Sequence, residues 1–143
     1  MNNLADFDFG FCGTRRRNNH VDNYIRPTRK RNPDGSFRNV GLTLVLCERT
    51  SKEIKGIFGD EVSIGIDPSD MSVAIRGKDR GGDIRVLSGK KDGVCNVSLG
   101  GRVAISRYEE LFGDAPCAVL SYPNWLMTRD GVDIAVFENE GVR

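Results

Sequence analysis

Apolar residues in this chain fall mostly into short runs, alternating or continuous, broken by glycine, proline and aspartate. Val40 to Cys47 is a continuous apolar run and predicts a buried central strand. From Glu61 to Ile66, Val62, Ile64 and Ile66 alternate; Asp67-Pro68-Ser69-Asp70 turns the chain, and Met71, Val73 and Ile75 alternate again. That pattern predicts a hairpin. Asp83 to Leu87 adds a short strand, and Lys90-Lys91-Asp92-Gly93 a turn. Val94 to Ile105 predicts a long extended segment bent at Gly100-Gly101. Ala118 to Tyr122 and Val132 to Phe137 read as further strands, the latter with Val132, Ile134 and Val136 inward. The tail from Glu138 to Arg143 is expected to fray.

Two segments instead carry a helical stripe. Thr50 with Glu53, and Ser106 with Glu109, have the spacing of a capping box, in which two side chains satisfy each other's backbone N–H. Ile54, Ile57 and Phe58 follow in the first, Tyr108, Leu111 and Phe112 in the second, and both stop at Phe-Gly-Asp. Each helix is about two turns long and needs tertiary packing to persist. Because each helix is followed by an extended segment, the pattern is expected to be duplicated. The predicted fold is mainly β with two short helices. Two similar strand-helix-hairpin halves, about 40–88 and 89–143, form one small barrel-like core behind an N-terminal segment, 1–39.

Gly101-Arg102-Val103-Ala104-Ile105-Ser106 running into Tyr108 to Asp114 resembles the AbrB-type swapped-hairpin unit. The first copy offers Ser51-Lys52-Glu53-Ile54, Phe58-Gly59-Asp60-Glu61-Val62 and Ser72-Val73-Ala74-Ile75-Arg76. The resemblance covers about residues 40 to 137. It implies two units interleaved as a small barrel, in a homodimer or, as in tandem MraZ-like members, within one chain. It also implies DNA binding through basic residues at one end, here Lys90, Lys91 and Arg102.

The N-terminal segment has two parts. Phe7, Phe9 and Phe11 alternate with small or charged residues, which predicts a strand that completes the sheet or offers an aromatic edge to a partner. Residues 14 to 37 turn to arginine, asparagine, proline and aspartate around Val21, Tyr24 and Ile25, which predicts a mobile arm that orders on contact. Asn32-Pro33-Asp34-Gly35 is a turn signal within it.

Net charge is +1, but it is unevenly distributed. Residues 15–38 hold Arg15, Arg16, Arg17, Arg26, Arg29, Lys30, Arg31 and Arg38 against Asp22 and Asp34, 8 − 2 = +6, leaving −5 for the rest. Such an asymmetry concerns partners more than folding. The arginine runs can neutralise successive phosphates, and Asn18, Asn19, Asn23 and Tyr24 could touch bases or sugars. A solvated tail and docking on an acidic protein are the other readings. Trp125, in Trp125-Leu126-Met127, is either the plug of the core or, if exposed, part of a protein-interaction patch with the phenylalanines.

Catalysis finds little support. His20 is the sole histidine and lies in the charged segment, while Asp67 with Asp70 and Glu109 with Glu110 have structural explanations. Cys12, Cys47, Cys95 and Cys117 lack metal-ligand spacing and read as reduced core thiols. No cofactor is expected. Neither a membrane span nor a signal sequence is apparent, so a cytoplasmic location in a cell or an infected cell is expected. The expected function is non-enzymatic nucleic-acid binding, to DNA before RNA, in the manner of a transcriptional regulator. The alternative is a small phage-type inhibitor, such as an anti-CRISPR or other anti-defence protein, that blocks the nucleic-acid channel of a host nuclease complex.

Overall fold

The computed structural model describes residues 22–78, 84–89, 93–127 and 133–142. Its first elements are β1 (Asn23–Arg31), β2 (Phe37–Leu46), α1 (Glu48–Phe58), β3 (Glu61–Asp67) and β4 (Ser72–Gly77). Then come β5 (Ile84–Val86), β6 (Ser88–Gly89), β7 (Cys95–Gly100), α2 (Arg102–Phe112), β8 (Ala118–Leu120), β9 (Asn124–Met127), β10 (Asp133–Phe137) and β11 (Asn139–Gly141). One antiparallel sheet has the order β11-β8-β1-β2-β7-β6, the other β5-β3-β4-β10-β9. The mainly-β expectation holds. A closed barrel does not: among the described residues the two sheets stay separate, because β3 leaves α1 for the second sheet instead of extending the first.

Both sheets turn one face to a common core. Ala118, Ile25, Leu44 and Val97 line up across β8, β1, β2 and β7. Ile64, Ile75, Ala135 and Trp125 do the same across β3, β4, β10 and β9. Ile54 of α1 and Ile105 and Tyr108 of α2 join this cluster. The hairpin expected at 61–75 is present as β3–β4. Its turn is held by the Asp67 carboxylate, which accepts from the Ser69 N–H at 2.9 Å and hydroxyl at 2.7 Å. The continuous apolar run of β2 is buried from Gly41 to Leu46, as a central strand requires.

Several expectations are overturned. Residues 23–37 are not a mobile arm. Asn23, Ile25 and Pro27 alternate into the protein along β1, and flanking strands satisfy the backbone, so a few inward positions suffice. β8 pairs with β1 only as far as Ile25, so at Pro27 only β2 flanks the strand. Neither helix uses the expected capping box. α1 begins before Thr50, with Cys47 at its N-cap, and Thr50 and Ser51 are buried in its first turn while Glu53 is exposed. The extended segment expected to reach Ile105 stops at Gly100. Gly100, at φ 138, and Gly101 form the corner from β7 into α2, so Val103 to Ile105 are helical. Each helix thus has 11 residues, three turns. Ile57 and Leu111, expected in the stripes, are 50% and 38% exposed. The glycine stops are as expected: Gly59 and Gly113, at φ 80 and 64, donate their N–H groups to Lys55 and Glu109 carbonyls.

In β10 the buried residues are Ala135 and Phe137, which oppose Ile75 and Val73, and not Ile134 and Val136; the run is apolar on both faces, so alternation alone leaves its parity open. The tail expected to fray pairs as β11 with β8, and Asn139 donates to the Ser72 hydroxyl and Met71 carbonyl. Strand followed by helix does recur, as β2–α1 and β7–α2, but β3 goes to the second sheet and β8 to the first.

Candidate nucleic-acid interface

β1 and β2 outrun the rest of their sheet. β7 pairs with β2 only from Leu42 onward, and β8 with β1 only from Asn23 to Ile25. Beyond Thr28 the pairs Arg29–Asn39, Lys30–Arg38 and Arg31–Phe37 form a two-stranded ribbon closed by the turn at 32–36. At a strand rise of about 3.3 Å per residue, the paired part extends roughly 10 Å past Thr28.

The turn is built from its own polar side chains. Pro33 presets one dihedral and Gly35 adopts φ 89. The Asp34 carboxylate accepts from the Ser36 hydroxyl at 2.6 Å and N–H at 2.9 Å. Those two bonds, the hydroxyl's first, hold Asp34 below the usual carboxylate range, so it is ionised at neutral pH. Arg38 donates to the Asn32 side-chain oxygen at 2.7 Å, which fixes one cation of the ribbon to its tip.

Directly opposed residues share a face, and alternation along β1 sorts the rest. Arg26, Lys30 and Arg38 lie on one face, with Thr28 between them, and Arg29, Arg31, Phe37 and Asn39 on the other. Arg29, Lys30, Arg31, Phe37 and Arg38 are all exposed. Among the described residues no carboxylate pairs with any of the five cations. Residues 26–38 therefore carry 5 − 1 = +4 in thirteen positions.

The base of the ribbon is anchored. The Thr28 and Thr43 hydroxyls share a hydrogen bond of 2.6 Å, and Asn39 donates to Glu109 of α2 at 3.3 Å. At Gly41 a Cβ would lie 2.2 Å from the Gly100 carbonyl oxygen, so only glycine lets β2 and the β7–α2 corner approach this closely. Below it, Asn23 is 1% exposed and ties three elements together. Its side-chain oxygen accepts from the Cys47 N–H at 3.0 Å, while its amide donates to the Thr50 hydroxyl at 3.1 Å and the Ser121 carbonyl at 3.4 Å. Asn23 is thus a structural joint and no longer a candidate base contact.

The other expected site residues are dispersed. Arg102 is the exposed first residue of α2 and, with Pro68, Val103, Ser106, Arg107 and Glu110, lines a separate open depression of about 380 Å³. Trp125 is half-buried against the core, its ring 5.9 Å from that of Phe58, so the core reading holds. Arg15, Arg16, Arg17, Lys90, Lys91, Phe7, Phe9, Phe11, His20, Cys12, Asn18 and Asn19 lie outside the described residues, as do the turn at 90–92 and Val132. Cys47 and Cys95 are buried free thiols. Among the described residues no group of three potential metal ligands is gathered, and no helix is long and apolar enough to cross a membrane.

Phe37 is the site residue that sequence reasoning passed over. It is 63% exposed and sits directly across from Arg31. The signal was available: a Pro-Asp-Gly turn flanked by Arg31 and Phe37 is a hairpin pattern, and hairpin pairing places those two side by side.

No family model matches the chain, and no curated protein or solved structure is detectably similar to it.

Proposed function

We propose that this is a non-enzymatic, cytoplasmic nucleic-acid-binding protein that works by occupancy, with the β1–β2 ribbon as its contact surface. One observation carries the reading: Arg29, Lys30, Arg31 and Arg38 project on a two-stranded ribbon without carboxylate partners among the described residues. Two of them, Lys30 and Arg38, stand directly opposite each other. Like charges so placed destabilise a hairpin, so folding alone gives no reason for them. A polyanion does, because each phosphate neutralised releases condensed counterions. Arg26 extends the stripe towards the sheet.

The test is a titration of labelled single strands and duplexes, DNA and RNA, with wild-type protein and with Arg29→Ala/Arg31→Ala. Wild-type affinity should fall by about tenfold or more between about 50 and 200 mM salt, and the double variant should bind weakly with a shallower dependence. Equal affinity of variant and wild type would reject the ribbon as the contact. No binding by wild type at the lower salt would reject the function, and nuclease-resistant capture of a protein would favour the inhibitor reading.

A further inference from the structure

We infer that the ribbon takes a single-stranded or unpaired segment of nucleic acid, with a base stacked on Phe37; this rests on the function proposed above and narrows its substrate. Phe37 sits at the last pair before the turn, 63% exposed. Its face of the ribbon holds two further cations, Arg31 directly across from it and Arg29 two residues further along β1. The Arg31 guanidinium reaches back to within 3.9 Å of where a Cβ on Gly35 would lie, so it lies over the turn that Phe37 borders in sequence. An aromatic face bordered by guanidinium groups is the arrangement in which a base stacks while its flanking phosphates meet cations.

Magnitudes favour an unpaired base over a wedge driven into a duplex. Stacking on one aromatic side chain is worth about fivefold to a hundredfold in affinity per base. Opening a duplex step costs a comparable amount, which wedge-inserting proteins offset by bending the DNA onto a large surface. A ribbon with three cross-strand pairs beyond Thr28 has no such surface to offer. Asn39, on the same face, is already engaged with Glu109, so the recognition is of a ring face and not of hydrogen-bonding edges. The contact should therefore tolerate many sequences.

The experiment uses full-length protein and variants Phe37→Ala and Phe37→Trp. The probes are labelled oligothymidylate of about 15 nucleotides, within the site sizes of single-strand binders, and a duplex of the same length. Because Phe37 is exposed, neither variant should lose its fold, and circular dichroism checks this. Phe37→Ala should weaken binding to the single strand about tenfold, leave its salt dependence unchanged and leave duplex binding unchanged, while Phe37→Trp restores the affinity. If wild type binds and Phe37→Ala binds equally well, or if both probes lose affinity equally, stacking is overturned and the ribbon function survives. If wild type binds neither probe at low salt, both fall.

Discussion

Lys30→Glu separates what the ribbon does from what holds it together. Lys30 lies directly opposite Arg38, whose guanidinium also donates to Asn32. The substitution turns a like-charge cross-strand pair into an opposite one, worth about 0.2–1 kcal/mol in each direction. Solvent exposure reduces the gain, so about 0.5 kcal/mol is expected, a rise in Tm of about 1–3 °C for a chain of this size. Binding should move the other way. If Arg29, Lys30, Arg31 and Arg38 each neutralise one phosphate of a single strand, the slope of log K against log salt is about −2.8, a loss of roughly fiftyfold between about 50 and 200 mM. Without Lys30 the slope becomes about −2.1 or shallower, since the new carboxylate also repels phosphate. Thermal unfolding and a two-salt anisotropy titration read both effects, with Lys30→Gln as the neutral intermediate. A variant that is more stable but binds with undiminished slope would refute the phosphate contact. One that is less stable would refute the opposition of Lys30 and Arg38 on which the reasoning depends.

Three further predictions test the anchor beneath the ribbon and the core beside it. Gly41→Ala drives a methyl into the Gly100 carbonyl, a backbone group that cannot swing aside, and should cost about 3 kcal/mol or prevent folding, read from urea unfolding or soluble yield. Asn23→Leu leaves the Cys47 N–H and the Ser121 carbonyl without their Asn23 partner and the Thr50 hydroxyl with only the Cys47 thiol, and should cost about 2–4 kcal/mol as a lower urea midpoint at unchanged m. Tyr108 donates its hydroxyl to the Ala115 carbonyl at 2.7 Å, and burial, with the Cys117 thiol beside it, pushes its pKa up to about 12. The unfolded chain therefore loses this proton first, so the stability it contributes is fully present below about pH 10 and is lost as the pH rises towards about 12. Tyr108→Phe should be less stable by about 1 kcal/mol at neutral pH yet lose less over that alkaline window, measured as urea midpoints across pH.

The elements that were legible in the sequence are those whose signals are local. The β3–β4 hairpin, the buried run of β2 and the glycine stops at Gly59 and Gly113 all follow from alternation, continuity or turn chemistry. Where partners are distant, local signals mislead. Thr50 with Glu53 has the spacing of a capping box, but Thr50 is buried with Ser51 in the first turn of α1, where Asn23, 27 residues before Thr50, donates to the Thr50 hydroxyl and Ser51 donates to the Leu46 carbonyl. Average composition misled in the same way over the described part of residues 14–37. The part of that segment that is described divides at Thr28 into a buried half, with Asn23, Ile25 and Pro27 inward, and an exposed cationic half. The cations of the candidate site were visible as residues, whereas their division between two faces and the place of Phe37 among them needed the pairing register.

That register also changes the energetics of the proposed contact. A mobile arm would lose about 1–2 kcal/mol of conformational freedom per residue ordered on a ligand, which for ten residues would consume most of the attraction between its arginines and a phosphate backbone. The ribbon has met that cost during folding, through its cross-strand ladder, the Asp34–Ser36 turn, the Asn39–Glu109 bond and the close approach at Gly41. The opposed Lys30 and Arg38 are tolerable for the same reason. Their repulsion is at most about 1 kcal/mol, and several contacts at the base of the ribbon oppose it. Charge that is unfavourable in the free protein and relieved by a polyanion acts in the direction of binding, so under the proposed function the anchor at Asn23 and Gly41 would contribute to affinity without touching the ligand.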